Sequence, residues 1–78
     1  MIEYKTNVLE ALKENGYSTA YIRKKKILGE STIQKLRTYN TDISIKNLAL
    51  ICSMLRCQPS DILKNVITND EKIRLFRD

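Results

Sequence analysis

No histidine occurs in the chain. That removes the commonest general base and leaves Cys52 and Cys57 without the partner that a zinc site would need. The two cysteines fit buried thiols acting as small hydrophobes better than a metal or redox pair. With only two glycines there is no glycine-rich phosphate loop, and no base stands ready to activate Cys57 as a nucleophile. An enzyme is therefore the weakest reading, and no cofactor, metal or small-molecule ligand is implied. One phenylalanine and four scattered tyrosines make a poor stacking platform for single-stranded RNA. No apolar run reaches the roughly 18 residues of a membrane span. The opening Met1-Ile2-Glu3-Tyr4-Lys5 lacks the basic-then-apolar layout of a secretory signal, so a cytoplasmic location is expected.

What the chain does have is positive charge in one place. Its 78 residues suit one domain with a single small core, and its net charge is +5. Between Tyr17 and Lys46, seven cations (Arg23, Lys24, Lys25, Lys26, Lys35, Arg37, Lys46) face two carboxylates, Glu30 and Asp42. Elsewhere seven cations meet seven carboxylates, so the whole excess lies in that stretch. A lone Arg-Lys-Lys-Lys run reads as a solvated helix face. Its place beside a polar-sided helix points instead to a phosphate polymer.

That helix is expected over Glu30–Thr38. At 100° per residue Ile33 and Leu36 fall together, with Ser31, Gln34, Lys35 and Thr38 opposite. Before it, Thr19–Lys26 reads as a short helix with Ser18 as its cap and Ile22 facing inward. Thr19, in its first turn, reads equally as a phosphate neighbour and as a plain helix-start residue. Ile27-Leu28-Gly29 makes the turn, Leu28 plugging the space between the two helices.

The remaining segments frame this pair. Met1 to Asn15 reads as a first helix with a stripe of Val8, Leu9 and Leu12, stopped at Asn15-Gly16. After the polar connector Tyr39-Asn40-Thr41-Asp42, Ser44 caps a fourth helix over Ile45–Leu55. Its stripe is Ile45, Leu48, Ala49, Cys52 and Leu55, with Leu50, Ile51 and Met54 widening it nearly all round, so it is expected to be buried on most sides. Pro59 suits the first position of a fifth helix, which takes in Ile62 and Leu63 with Val66 as its far limit. Lys72 to Asp78 reads equally as helix, edge strand or loose chain. The expected organisation is an all-α, compact five-helix bundle over residues 1–67, with residues 68–78 as a C-terminal extension.

Four pieces in order carry a resemblance: Met1-Ile2-Glu3-Tyr4, Ser31-Thr32-Ile33-Gln34-Lys35-Leu36, Ile43-Ser44-Ile45-Lys46-Asn47-Leu48, and Leu55-Arg56-Cys57-Gln58-Pro59-Ser60-Asp61-Ile62-Leu63. Over Ile2 to Leu63 the chain resembles the Cro and phage-repressor (XRE-like) helix-turn-helix domains. The resemblance implies a five-helix transcriptional regulator binding double-stranded DNA, usually as a homodimer on a palindromic operator. It implies base contacts at Glu30, Ser31 and Lys35, to which the polar face adds Gln34. It places Ser18, Thr19, Thr38 and the connector near Asn40 at the DNA backbone, to which the charge distribution adds Arg23, Lys24, Lys26 and Arg37. Helix four and Ile73-Arg74-Leu75-Phe76 are the candidate dimer interfaces. The chain departs from the family at Arg23, where a small residue is usual, and at Ile27, where a glycine serves a left-handed turn. Arg23 must then angle outward or the helix pair must open. The competing expectation is a basic helical adaptor, antitoxin-like or phage-encoded, that binds a protein without specific DNA binding.

Overall fold

The computed structural model describes residues 1–76; Arg77 and Asp78, the end of the expected extension, lie outside the described residues. The element order is β1 (Ile2–Tyr4), α1 (Val8–Glu14), α2 (Thr19–Lys24), α3 (Glu30–Arg37), α4 (Ile45–Leu55), α5 (Pro59–Ile62), β2 (Leu63–Asn65) and α6 (Asn69–Phe76). The protein is mostly helical with a small two-stranded sheet, which corrects the all-α, five-helix expectation among the described residues.

The first correction lies at the start of the chain. Residues expected to open a helix form β1, paired antiparallel to β2 with Ile2 opposite Asn65, Glu3 opposite Lys64 and Tyr4 opposite Leu63. The helix itself begins only at Val8, because the Asn7 side chain accepts from the Glu10 amide at 3.1 Å and fixes the first turn there. The same pairing shortens the fifth helix to Pro59–Ile62, since Leu63 already belongs to β2. Pro59 opens α5, and the Asp61 carboxylate accepts from the Gln58 amide at 2.8 Å.

The caps read from the sequence form. Ser18 Oγ accepts from the Tyr21 amide at 3.2 Å and Ser44 Oγ from the Asn47 amide at 3.1 Å. Helices α1 to α4 all stop in one way: a left-handed residue follows, and the next amide reaches back five residues to a helix carbonyl. Gly16 (φ 89°) does this for α1 without steric penalty. Lys26 (φ 55°), Tyr39 (φ 59°) and Arg56 (φ 53°) do it for α2, α3 and α4, each at a cost of about 1 kcal/mol. The strained residue of the helix-turn-helix is thus Lys26 and not Ile27. Helix α2 ends at Lys24, two residues before the expected Lys26, and the left-handed residue falls one position before Ile27.

Val8, Leu12, Ile22, Leu28, Ile33, Leu36, Ile51, Cys52 and Ile62 form the core. Residues from α1, α2, α3, α4 and α5 thus meet around one centre, with Leu28 of the turn among them. Cys52 and Cys57 are free thiols, the first buried with its ionisation pushed up by desolvation. Helix α4 is less enclosed than its stripe implies. Ile45 is 79% exposed and Ala49 is exposed too, because the helix packs through Ile51 and Cys52 and turns its N-terminal end to solvent. No helix of the described residues is long and apolar enough to cross a membrane.

Candidate nucleic-acid interface

Helix α3 is divided as its periodicity predicts. Thr32, Ile33 and Leu36 are buried, while Glu30, Ser31, Gln34, Arg37 and Thr38 are exposed and Lys35 is half-buried. Ile33 and Leu36 seat it in the core. Thr32 is the one buried polar residue among those described, and its hydroxyl accepts from Asn47 Nδ2 of α4 at 2.9 Å. An inward-facing threonine needs such a partner. This cross-brace joins residues fifteen positions apart, and the helical wheel of α3 alone does not show it.

The exposed side chains of α3 are partly tied to their own surroundings. Gln34 Oε1 accepts from Arg37 Nη1 at 3.2 Å. Thr38 donates its hydroxyl to the Gln34 carbonyl at 3.0 Å, which closes the end of the helix. Lys35 Nζ donates to the Asp42 carbonyl at 2.9 Å, so its ammonium is drawn toward the connector. Asn40 uses its side-chain oxygen to accept from the Asp42 amide at 2.8 Å, and its carbonyl accepts from the Tyr4 hydroxyl at 3.0 Å. The exit of α3 is therefore moored to β1. Tyr4 and Tyr39 meet edge-on there, ring centres 6.3 Å apart.

On α2, Ser18 spends its hydroxyl on the helix cap and Thr19 is the first helical residue, half-buried. Arg23, Lys24, Lys25 and Lys26 are all exposed. Lys25 sits 5.9 Å from the Tyr21 ring centre. Among the described residues no carboxylate pairs with Lys24, Lys25, Lys26 or Arg37. Arg23 differs. Its Nε and Nη2 hold the two oxygens of Glu30 at 2.8 and 2.7 Å. This outward angle is how the chain accommodates an arginine where a small residue was expected. The paired guanidinium keeps the Glu30 carboxyl below the ordinary glutamate range, and Glu30 in turn raises Arg23.

The structure therefore brings together Ser31, Gln34, Lys35, Arg37 and Thr38 on or beside α3, with Asn40 just past its end. Glu30 and Arg23 are bound to one another across the turn. This surface offers amides, hydroxyls and unneutralised cations, and can hydrogen-bond a polyanion. No group of three or more metal-ligating side chains occurs among the described residues.

A family model described as the Cro/C1-type HTH DNA-binding domain aligns with residues 7–66 of the chain. No curated protein and no solved structure matches it.

Proposed function

Since this chain belongs to the Cro/C1-type helix-turn-helix DNA-binding family, we propose that it is a transcriptional regulator that recognises specific duplex sequences with α3 in the major groove. The observation that carries this is the division of α3: Thr32, Ile33 and Leu36 inward, Ser31 and Gln34 outward, beside Lys24 at the end of α2 and Lys26 of the turn, neither paired with a carboxylate among the described residues. In this reading the DNA-binding unit is residues 1–67, and residues 68–78 are an extension.

Each base pair presents a distinct donor and acceptor pattern in the major groove. Gln34 suits adenine, Ser31 suits either an adenine or a phosphate, and Lys35 suits guanine O6 and N7 once it releases the Asp42 carbonyl. Ser18, Thr19, Lys24, Lys26, Arg37, Thr38 and Asn40 are assigned to the strand backbone. Arg23 and Glu30, spent on each other, belong to neither set. Selection from random duplexes followed by a mobility assay across salt tests this. An enriched sequence, bound with a log–log salt slope of about −0.9 per neutralised phosphate, is expected; equal binding to all duplexes overturns it. Lys35→Ala should cost about 1–3 kcal/mol at one base position, and a loss spread evenly over all sequences would make Lys35 a backbone contact.

The exposed Ile73, Leu75 and Phe76 of α6 and the exposed Ile45 of α4 support pairing of two copies on a palindrome, with recognition helices about 34–36 Å apart. A monomer mass by sedimentation, with and without the selected duplex, removes the homodimer. The same apolar side chains favour the second reading, an adaptor that docks on another protein. Salt-sensitive binding to random duplex DNA separates the two.

A further inference from the structure

Helix α2 ends at Lys24 and α3 begins at Glu30, and one side-chain pair bridges the gap. Arg23 lies in the last turn of α2 and Glu30 is the first residue of α3. Each charge therefore sits at the helix end whose dipole favours it. Two parallel bonds of 2.8 and 2.7 Å join them, so each carboxylate oxygen already holds a guanidinium N–H. In the core that the two helices share, Ile22 and Ile33 are fully buried and Leu28 of the turn is 3% exposed. That apolar contact holds the helices together but is non-directional. A planar fork on a carboxylate fixes orientation as well as distance. An exposed pair adds little stability, so its effect must be sought in geometry.

We propose that the Arg23–Glu30 fork is a specificity device: it sets the angle at which α3 is presented and withholds both side chains from DNA. Arg23 is then a positioning residue that neutralises no phosphate, and Glu30 reads no base. The inference rests on the duplex-DNA reading above.

The full chain is compared with Arg23→Glu, Glu30→Arg, the double exchange R23E/E30R, and Arg23→Lys, on its selected duplex and on random duplex across salt. Each single reversal should cut the preference for the selected duplex by about tenfold or more. The double exchange should restore preference for the same sequence, and Arg23→Lys should not, because an ammonium cannot fork. Arg23→Ala should leave the salt slope unchanged, while Lys24→Ala reduces it by about 0.9. A slope reduced equally by Arg23→Ala, a double exchange that selects a different sequence, or single reversals without effect overturns the proposal. In the DNA-free protein the Arg23 Nε–H resonance should be protected, and Glu30→Gln should abolish that protection; persistence overturns the pairing itself. A wild-type chain that prefers no duplex overturns the DNA reading and the specificity claim together, while the resonance still decides whether the fork forms.

Discussion

Helices α3 and α6 are each eight residues long, and each carries two large apolar residues three apart, Ile33 and Leu36 in one and Ile73 and Phe76 in the other, a spacing that suits one side of a helix. Their fates differ. Helix α3 buries Thr32, Ile33 and Leu36 and keeps its polar residues outside. Helix α6 buries nothing: Ile73, Leu75 and Phe76 are 56%, 69% and 64% exposed. It is held instead at its start, where Thr68 Oγ1 accepts from the Glu71 amide at 3.1 Å and the Met1 amine meets Glu71 Oε1 at 3.0 Å. Apolar spacing along a helix thus specifies a face, and only the rest of the chain decides whether that face is covered. Eight residues alone are too few to hold a helix in water, so α3 owes its rigidity to the core beneath it and α6 to its cap.

The contrast can be broken most forcefully in the core. Ile33→Ala should cost about 2–5 kcal/mol and lower the urea midpoint sharply, whereas Phe76→Ser should leave the midpoint of the monomer unmoved. A large loss from Phe76→Ser would mean that α6 is covered after all. Asn47→Ala comes next: it strands the buried Thr32 hydroxyl at a cost of about 1–3 kcal/mol. Amide exchange should then quicken in α3 and α4 and not in α6. Tyr4→Phe removes the donor to the Asn40 carbonyl, for about 1 kcal/mol, and should loosen the exit of α3 alone.

The smallest effect is set by pH. Glu30 and Glu71 are both held below the ordinary glutamate range, Glu30 first by its hydrogen bonds from Arg23 and Glu71 first by the one from the Met1 amine. A lowered carboxyl stabilises the fold above its unfolded value, and that contribution fades as pH falls through the lowered one. Acid should therefore release both ties. Hydrogen exchange should show α6 fraying while α3, seated on Ile33 and Leu36, stays protected; equal fraying would deny the distinction.

The sequence made some of this legible because the physics involved is local. Ser18, Ser44, Pro59 and Gly16 act within a few residues of themselves, and each stands where it was expected. The inward and outward sides of α3 were likewise readable from Ile33 and Leu36. β1 was not, since Ile2 finds its partner Asn65 at the far end of the chain and three residues carry too little pattern to announce a strand. Ile45 fitted the stripe of α4 by spacing yet lies outside the contact with the core. The left-handed residue fell on Lys26 because the helix ended one step sooner than the family pattern suggests. The Arg23–Glu30 bond was hidden for another reason: each side chain, taken alone, suited DNA.

The pairing of Ile2–Tyr4 with Leu63–Asn65 turns a row of helices into a ring. Through the Tyr4 hydroxyl on Asn40, that ring includes the far end of the surface assigned to DNA. A chain emerging from the ribosome cannot close it until its sixty-fifth residue is free, and joining segments so distant is the slow kind of contact. The surface assigned to DNA is therefore completed late, and a nascent fragment that already carries both helices of the motif still lacks the clasp that steadies them.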